Sequence, residues 1–203
     1  MGFVIAVIIS YLIGSISFSY LIAKQIAGID IRSHGSGNAG ATNTLRVLGK
    51  GPGILVLVLD ALKGLAAMGI AHWITGGDPV SYAFAGIFAI VGHNWPIFFG
   101  FRGGKGIATT LGVALGLSPL AFLIAAVITV IVIAITRYVS LGSLVFVTLL
   151  PVLLWFLTDH PIYPLVSLLI TVFAYVRHSS NIVNLVQGKE RKLGDKSQRT
   201  PLQ

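Results

Sequence analysis

Long apolar runs, separated by short polar segments, make up most of this chain. They cover residues 3–23, 52–75, 79–99, 106–136, 138–157 and 161–176. A helix that crosses a bilayer needs about 20 consecutive apolar residues, so the runs predict transmembrane helices. The pattern is typical of an all-α integral membrane protein.

The fourth run, 106–136, is too long for one crossing. As a single helix it would extend about 46 Å, whereas the hydrocarbon core of a bilayer is about 30 Å thick. Pro119 removes a helical hydrogen bond, so we expect it to divide the run into 106–117 and 119–136. The result is a prediction of seven transmembrane helices in a single domain, 1–203.

Lysine and arginine are distributed unevenly between the loops. The first loop is rich in both, whereas the next loop, 75–81, contains neither. By the positive-inside rule, the first loop and the basic tail 177–203 are cytoplasmic and the N-terminus lies outside. With seven helices, every Lys and Arg except Lys63 lies on the cytoplasmic side. With six helices, Arg137 and the tail would lie outside.

Composition narrows the classes of protein further. The chain is 55% hydrophobic and 10% charged, against about 25% charged residues in ordinary soluble domains. Its net charge of +8 suits anionic lipid headgroups, and it lacks the aromatic–basic pattern of a nucleic-acid binder. The absence of cysteine excludes disulfides and thiolate sites. The run 3–23 has no basic segment before it and is long enough to span, so we expect a membrane helix and not a cleaved signal peptide.

The polar segment 32–50, RSHGSGNAGATNTLRVLGK, contains no acidic residue. Glycine lets backbone N–H groups approach an anion closely, and an arginine fork suits phosphate. We therefore predict an anion-binding loop, with a flexible connector as the alternative. The glycines in this segment and just after it are Gly35, Gly37, Gly40, Gly49, Gly51 and Gly53. The candidate binding residues are Ser36, Gly37, Asn38, Thr42, Asn43 and Arg46.

Two charges lie inside the second run, in the sequence VLDALKG. Asp60 and Lys63 are three residues apart, so they share one helix face. Charges within a bilayer segment are costly and usually pair or face a cavity. Two interpretations stay open, namely an ion pair that holds helices together and a role for Lys63 in substrate binding.

A third polar stretch, GHNWPIFFGFRGGKGIATTLG, covers residues 92–112. Lys105 lies beside Gly103 and Gly104 at a predicted helix start, an arrangement that favours phosphate. The stretch is not a Walker A loop, because glycine follows Lys105 where serine or threonine is required. His93 and Asn94 end the third helix on the same side, and His93 is either a structural donor or a participant in the chemistry.

A smaller polar stretch, RHSSN, directly follows the last apolar run and covers residues 177–181. His178 and Asn181 lie three residues apart on one helix face, and an ordinary polar helix end is the alternative interpretation. The acidic residues outside the helices on the cytoplasmic side are few: Asp30, Glu190 and Asp195. We therefore expect no metal site and no cofactor.

These polar stretches, in this order, resemble the motifs of the bacterial acyl-phosphate:glycerol-3-phosphate acyltransferases, the PlsY family. The resemblance rests on SHGSGNAGATNTLRVLGK, VLDALKG and GHNWPIFFGFRGGKGIATTLG, and it covers essentially the whole chain. It implies a seven-helix enzyme of the bacterial cytoplasmic membrane that works without a metal, in the first acylation step of phospholipid synthesis. Such an enzyme passes a fatty acyl group from acyl-phosphate to the 1-hydroxyl of glycerol 3-phosphate, giving lysophosphatidic acid and phosphate.

Both implied substrates carry phosphate, which gives the polar residues candidate roles. Arg46 and Lys105 would clamp phosphate, and Lys63 is a further candidate cation. Ser36 and Asn38 would orient the substrates or stabilise the oxyanion.

The resemblance also implies that His178 and Asn181 complete the site. The proton acceptor stays open between His178 and a substrate phosphate. Ser36 as a covalent nucleophile is another alternative.

The implied partners are glycerol 3-phosphate, fatty acyl-phosphate, membrane lipid and the soluble enzyme that makes acyl-phosphate, with no nucleic acid. A transporter of phosphorylated solutes is the rival interpretation, although the chain has no clear internal repeat. A transferase that uses an acyl thioester or a nucleotide-linked headgroup is a third.

Overall fold

The computed structural model describes residues 1–194, which are almost entirely helical. Two 3-10 helices cover Ile31–Ser33 and Ile97–Phe99. Within these residues the chain forms ten α-helices: α1 Gly2–Gly14, α2 Phe18–Ala27, α3 Ala41–Leu48, α4 Lys50–Thr75, α5 Pro79–Asn94, α6 Ile107–Leu117, α7 Pro119–Thr136, α8 Val139–Leu157, α9 Ile162–Arg177 and α10 Ser179–Val186.

Five helical stretches of the described chain are long and apolar enough to cross a membrane. They are Gly2–Ala27, which combines α1 and α2, together with α4, Pro79–Phe99, α7 and α8. The pair α9 and α10, bent by 63°, is a sixth candidate, and α6 is a shorter apolar helix. The chain is therefore an all-helical integral membrane protein, while seven crossings and the orientation of the termini stay predictions.

The chain divides into two compact units. The first contains Met1–Val113 and the second begins at Ala114, so the boundary falls within α6. The expected single domain, 1–203, stays a prediction. The part of the basic tail that carries Lys196 and Arg199 lies outside the described residues.

The predicted break at Pro119 is confirmed. α6 ends at Leu117, and α7 begins at Pro119, where proline is favoured because a first-turn N–H has no helical partner. The Ser118 hydroxyl caps α7 by accepting a hydrogen bond from the Ala121 N–H at 3.2 Å. Local sequence is thus sufficient to set this boundary.

The run 3–23 lies within one candidate crossing, Gly2–Ala27, but it is not one continuous helix, because residues 15–17 interrupt it. The Ser15 N–H donates to Tyr11 and the Ile16 N–H donates to Ile13, which closes α1 with a tightened turn. Lys63 of α4 donates to the freed Ile16 carbonyl at 2.6 Å. The break is stabilised by a side chain from a distant helix, which a local pattern does not reveal.

The prediction that 32–50 is entirely a loop is wrong, because part of this segment is helical. α3 occupies Ala41–Leu48, and α4 already begins at Lys50. Gly51 and Gly53 are therefore helical residues and not part of an anion-binding loop. At Gly53 a Cβ atom would lie 2.7 Å from the Leu45 Cα, so this glycine lets α3 and α4 approach closely.

The tail also contains structure that the sequence did not predict. α10 covers Ser179–Val186. It has only eight residues, fewer than isolated helices need to be stable in water. Arg137 then ties the chain beyond α10 to the α7–α8 turn: its guanidinium donates to the Leu193 carbonyl, and its carbonyl accepts from the Leu193 N–H.

Glycines set the packing of α1 against α5. A Cβ atom at Gly14 would collide with the Ala89 carbonyl, and one at Gly92 would collide with the Tyr11 carbonyl. Small residues at such positions let membrane helices approach with backbone in contact. Tyr11 then donates its hydroxyl to the Trp95 carbonyl at 2.9 Å, which fixes the end of α5 against α1.

We expect Gly14→Ala to destabilise the protein by about 1–3 kcal/mol, because a methyl group is forced into a filled contact. Thermal unfolding in detergent measures the effect. Gly69→Ala is the matched control, since a Cβ atom at Gly69 in α4 would meet open space. An equal loss of stability in both variants would contradict the close α1–α5 contact.

Candidate active site

The first polar loop is organised around the side chain of Asn43. Its Oδ1 atom accepts a hydrogen bond from the Ser36 N–H at 2.8 Å. Its Nδ2 atom donates to the carbonyls of Ile31 at 3.2 Å and His34 at 3.0 Å. Because Asn43 is 1% exposed, it holds the loop backbone from inside. Its expected role in binding substrate directly stays a prediction.

The loop presents other polar groups on its surface. Ser36 and Gly37 are exposed, and Asn38 and Thr42 are half-buried. Gly37 has a φ of 71°, a left-handed conformation that glycine adopts without strain. The loop can therefore turn sharply while the Ser36 hydroxyl remains accessible.

Arg46 lies in the last turn of α3 and is half-buried. Thr42 precedes it by four residues, so the two side chains lie on the same face of this helix. Asn43 precedes Arg46 by three residues, and its side chain is occupied with the loop. Thus α3 carries both the residue that supports the loop and Arg46.

Arg32 joins the first loop to the polar stretch around residue 99. Its guanidinium forms an ion pair with Asp30 at 2.8 Å and donates to the Phe99 carbonyl at 2.7 Å. It also lies over the Tyr20 ring, 5.0 Å from its centroid. The hydrogen bonds from Arg32 hold the pKa of the Asp30 carboxyl below its usual value. This pair stays charged and fixes the loop's starting point.

A buried ionic cluster joins α4 to the end of α5. The Lys63 ammonium lies 2.8 Å from Asp60 Oδ1 and 3.1 Å from His93 Nδ1, and His93 Nδ1 lies 3.6 Å from Asp60 Oδ1. The three residues are 0%, 3% and 5% exposed for Asp60, Lys63 and His93. Neither carboxylate oxygen of Asp60 forms an aligned hydrogen bond within the described chain, so its contact with Lys63 is an ion pair.

The glycines around Lys105 pack against the last two residues of α5. The Gly104 N–H donates to the His93 carbonyl at 3.1 Å. A Cβ atom at Gly103 would collide with the same carbonyl, and one at Gly104 would collide with the His93 ring. Lys105 is half-buried and lies just before α6. Its backbone is therefore held close to His93.

Asn94 is enclosed at the same place. It is 0% exposed, and neither its Oδ1 nor its Nδ2 atom has a hydrogen-bond partner within the described chain. A Cβ atom at Gly106 would lie 2.9 Å from Asn94 Oδ1. Its carboxamide is therefore covered in this structure. Direct substrate binding by Asn94 stays a prediction.

The second unit holds the remaining predicted site residues at the bend between α9 and α10. His178 is 3% exposed, and its Nδ1 lies 2.8 Å from the Ala174 carbonyl. A carbonyl oxygen only accepts, so Nδ1 carries the hydrogen and, in a neutral ring, Nε2 carries the lone pair. In this tautomer Nε2 is the basic nitrogen, and the role of His178 as proton acceptor stays a prediction.

Asn181 is oriented by a carboxylate that sequence reasoning did not assign to the site. Its Nδ2 atom donates to Glu190 Oε1 at 2.7 Å, and the Ser140 hydroxyl donates to the same oxygen, also at 2.7 Å. The spacing of these residues along the chain offers no periodic signal. Glu190 holds Asn181 against the start of α8.

The structure thus connects many of the predicted residues within the first unit. Ser36 contacts Asn43, and Lys63 contacts His93, which in turn packs against Gly103 and Gly104. His178 and Asn181 belong to the second unit. The expected convergence of Arg46, Lys105, His178 and Asn181 stays a prediction.

The apolar helices and the polar loops between them define an all-helical integral membrane protein. Residues 4–188 match the family model described as glycerol-3-phosphate acyltransferase. The chain belongs to this family, the family of PlsY. The match spans the first loop, the buried cluster, the glycines around Lys105 and the bend at His178.

Curated relatives match over nearly their full lengths. A glycerol-3-phosphate acyltransferase of Halalkalibacterium halodurans is 55% identical over 199 residues, which cover 96% of this chain and 97% of the relative. One of Clostridioides difficile is 42% identical, covering 97% and 98%. One of Neisseria gonorrhoeae is 43% identical, covering 94% and 97%.

Solved structures share the fold. The chain is similar to the crystal structure of PlsY, an integral membrane glycerol 3-phosphate acyltransferase, in its glycerol 3-phosphate form, with a TM-score of 0.89 and 39% identity. It is also similar to the lysophosphatidic acid form, with a TM-score of 0.86 and 37% identity. In both comparisons 96% of each chain is covered.

We expect Asn43→Asp to loosen the first loop. The substitution keeps an acceptor for the Ser36 N–H but places a carboxylate oxygen against two carbonyls, and leaving such buried groups unpaired costs about 1–3 kcal/mol. Limited proteolysis within 31–40 and thermal unfolding measure the change. Asn184→Asp, on α10, is the chemical control, and equal protection of the loop in both variants would argue against this role of Asn43.

Proposed function

We propose that this chain transfers a fatty acyl group from acyl-phosphate to the 1-hydroxyl of glycerol 3-phosphate. The products are lysophosphatidic acid and inorganic phosphate. The observation that carries the proposal is membership of the glycerol-3-phosphate acyltransferase family over residues 4–188. The polar loops support it, since they supply cations and backbone donors suited to phosphorylated substrates.

The proposed chemistry needs binding and orientation more than a nucleophile from the protein. The 1-hydroxyl oxygen attacks the acyl carbonyl carbon, and the bond from that carbon to the phosphate oxygen breaks. Phosphate leaves with the bonding electron pair, and the hydroxyl proton passes to a base. Because acyl-phosphate is a mixed anhydride with a good leaving group, no covalent acyl-enzyme and no metal are required.

Arg46 and Lys105 are proposed to hold the phosphate groups. Arg46 offers a planar fork of donors, and Lys105 offers a compact charge at a glycine-rich turn. Holding two reactants in line supplies several kcal/mol of a reaction barrier. Donors aimed at the developing oxyanion, for which Ser36 and Asn38 are the candidates, supply a few more.

Two groups are candidates for the proton acceptor. One is His178, whose Nδ1–H is directed to the Ala174 carbonyl so that Nε2 is the basic nitrogen. The other is a phosphate of the substrate itself. The pH–rate profile of His178→Gln separates them: loss of the acidic limb assigns the proton to His178, and an unchanged profile assigns it to phosphate.

The proposed setting is the cytoplasmic face of a bacterial inner membrane. Seven crossings, with the N-terminus outside and the C-terminus in the cytoplasm, place all lysines and arginines except Lys63 on that face. In this topology α6 counts as a short crossing, and α10 lies within the cytoplasmic tail. Acyl-phosphate would come from a soluble enzyme on the same side.

We expect purified protein in detergent to form lysophosphatidic acid from glycerol 3-phosphate and acyl-phosphate. An acyl thioester should give no product, and a chelator should leave the rate unchanged. Turnover without a sealed vesicle distinguishes an enzyme from a transporter of phosphorylated solutes. Product from the thioester at an equal rate would refute the proposed donor.

We expect Lys105→Met to lower kcat/KM by at least a hundredfold, because a phosphate would lose its charged partner in a site of low dielectric. Arg102→Met is the matched control, since Arg102 is an exposed cation in the same segment. Steady-state rates with acyl-phosphate measure both variants. A similar loss in the two variants would indicate a general effect of surface charge.

A further inference from the structure

We propose that Asp60, Lys63 and His93 form a positioning device that holds the backbone of the Lys105 turn, without contacting substrate themselves. The proposal deepens the proposed function, on which its activity measurement rests. It also chooses between the two interpretations of Lys63, as a ligand of substrate and as part of an internal ion pair.

The first step is the enclosure of the Lys63 ammonium. It forms an ion pair with Asp60 Oδ1 at 2.8 Å and donates to the Ile16 carbonyl at 2.6 Å and to His93 Nδ1 at 3.1 Å. The nitrogen also lies over the Phe18 ring, 5.7 Å from its centroid. A group surrounded in this way and 3% exposed is not available to a substrate phosphate.

The second step is the orientation of the His93 ring. An ammonium only donates, so Nδ1 of His93 accepts from Lys63, and in the neutral ring the hydrogen lies on Nε2. The Nε2 edge faces Gly104, where a Cβ atom would collide with it. The ion pair therefore determines how the ring lies against the turn.

The third step is the attachment of the turn on both sides of Lys105. Before Lys105, the Gly104 N–H donates to the His93 carbonyl at 3.1 Å. After it, a Cβ atom at Gly106 would lie 2.9 Å from Asn94 Oδ1. The backbone of Lys105 is thus bracketed by two glycines that pack on consecutive residues of α5. A displacement of His93 would displace Lys105 with it.

The turn that carries Lys105 also packs against the first loop. A Cβ atom at Gly104 would lie 2.7 Å from the Ala39 carbonyl, and Ala39 directly follows Asn38. The cluster therefore links three segments: the break in the first span, the first loop and the Lys105 turn. An ion pair that only joined two helices would not need a histidine ring directed at a glycine turn.

Energetics also favour a positioning role. Burying an ion pair is seldom more stabilising than apolar packing of the same volume, and removing one partner is strongly destabilising. Apart from the bond from Lys63 to the Ile16 carbonyl, the charges of a cluster at 0–5% exposure therefore add little stability that leucine or methionine could not supply. What it adds is a defined geometry at the end of α5.

The test is the double variant Asp60→Asn/Lys63→Met, which removes both charges together. Each single substitution should lower the unfolding temperature in detergent, because it leaves one buried charge unpaired. The double variant should be more stable than either single variant, because no buried charge is left unpaired, although the Ile16 carbonyl still lacks its donor. Its kcat/KM should stay at least tenfold below that of the unsubstituted protein. A double variant that recovers both stability and rate would overturn the proposal, since the cluster would then be only a balanced ion pair.

Asp78→Ala is the matched control for loss of stability. Asp78 caps the opposite end of α5 by accepting from the Ser81 N–H at 2.8 Å, so its removal destabilises the same helix far from His93. The control should lower the unfolding temperature without changing the rate below that temperature. An equal fall in rate in Asp78→Ala would attribute the effect to general loss of stability and would overturn the proposal.

A second measurement does not depend on the acyl donor. Glycerol 3-phosphate should protect Lys105 from an amine-reactive reagent, read by mass spectrometry, in the unsubstituted protein and in Asp78→Ala but not in the double variant. Retained protection in the double variant would overturn the positioning role. If protection follows this pattern while acyl-phosphate gives no product, the proposed donor fails and the positioning role stands.

His93→Asn answers the case in which the double variant does not fold. An asparagine amide keeps a polar atom near the Nδ1 position toward Lys63, introduces no net charge and removes the ring edge that faces Gly104. It should fold and lose protection of Lys105 by glycerol 3-phosphate. Full protection in this variant would show that the ring does not hold the turn.

Discussion

The first unit depends on a single buried ammonium. Lys63 donates to the carbonyl that the break between α1 and α2 leaves free, and it lies against Asp60 and His93. In a membrane an unpaired backbone carbonyl is costly, so the broken first span is stable because a side chain from α4 reaches it. In the proposed positioning role, the same ammonium orients the His93 ring and, through it, the turn that carries Lys105. One charge would then connect the break in the first span to a segment of the proposed site.

Glycine has a consistent use in this unit, namely contact between backbones. Gly14 and Gly92 let α1 lie directly on α5, and Gly112 lets α6 lie on the Ala61 carbonyl of α4. Such contacts replace the hydrophobic effect, which provides little attraction between helices surrounded by lipid. At Gly104 the same close approach has a different consequence, because the neighbouring atom belongs to a polar side chain. Helix packing and site geometry therefore use the same physical device.

Apolar patterning predicts the spans well and the polar structure poorly. The observed α7 has the predicted bounds 119–136, and the α6–α7 break falls at the expected proline. The local pattern cannot predict the break at 15–17, because a lysine far along the chain stabilises it, and it cannot predict α3 or α10, which are too short to be stable alone. Glu190 was missed for the same reason: its partners, Ser140 and Asn181, are brought to it only by the fold.

The polar residues of the first loop separate into two groups, which residue type alone could not distinguish. Asn43 and Arg32 are directed at backbone carbonyls and hold the loop, whereas Ser36 remains exposed. A loop whose own side chains satisfy its backbone does not need the substrate to order it. Less entropy is then lost when an anion binds, which is the advantage of preorganisation. For the proposed reaction, which aligns two phosphorylated molecules, residues that hold the loop are as important as those that touch the substrate.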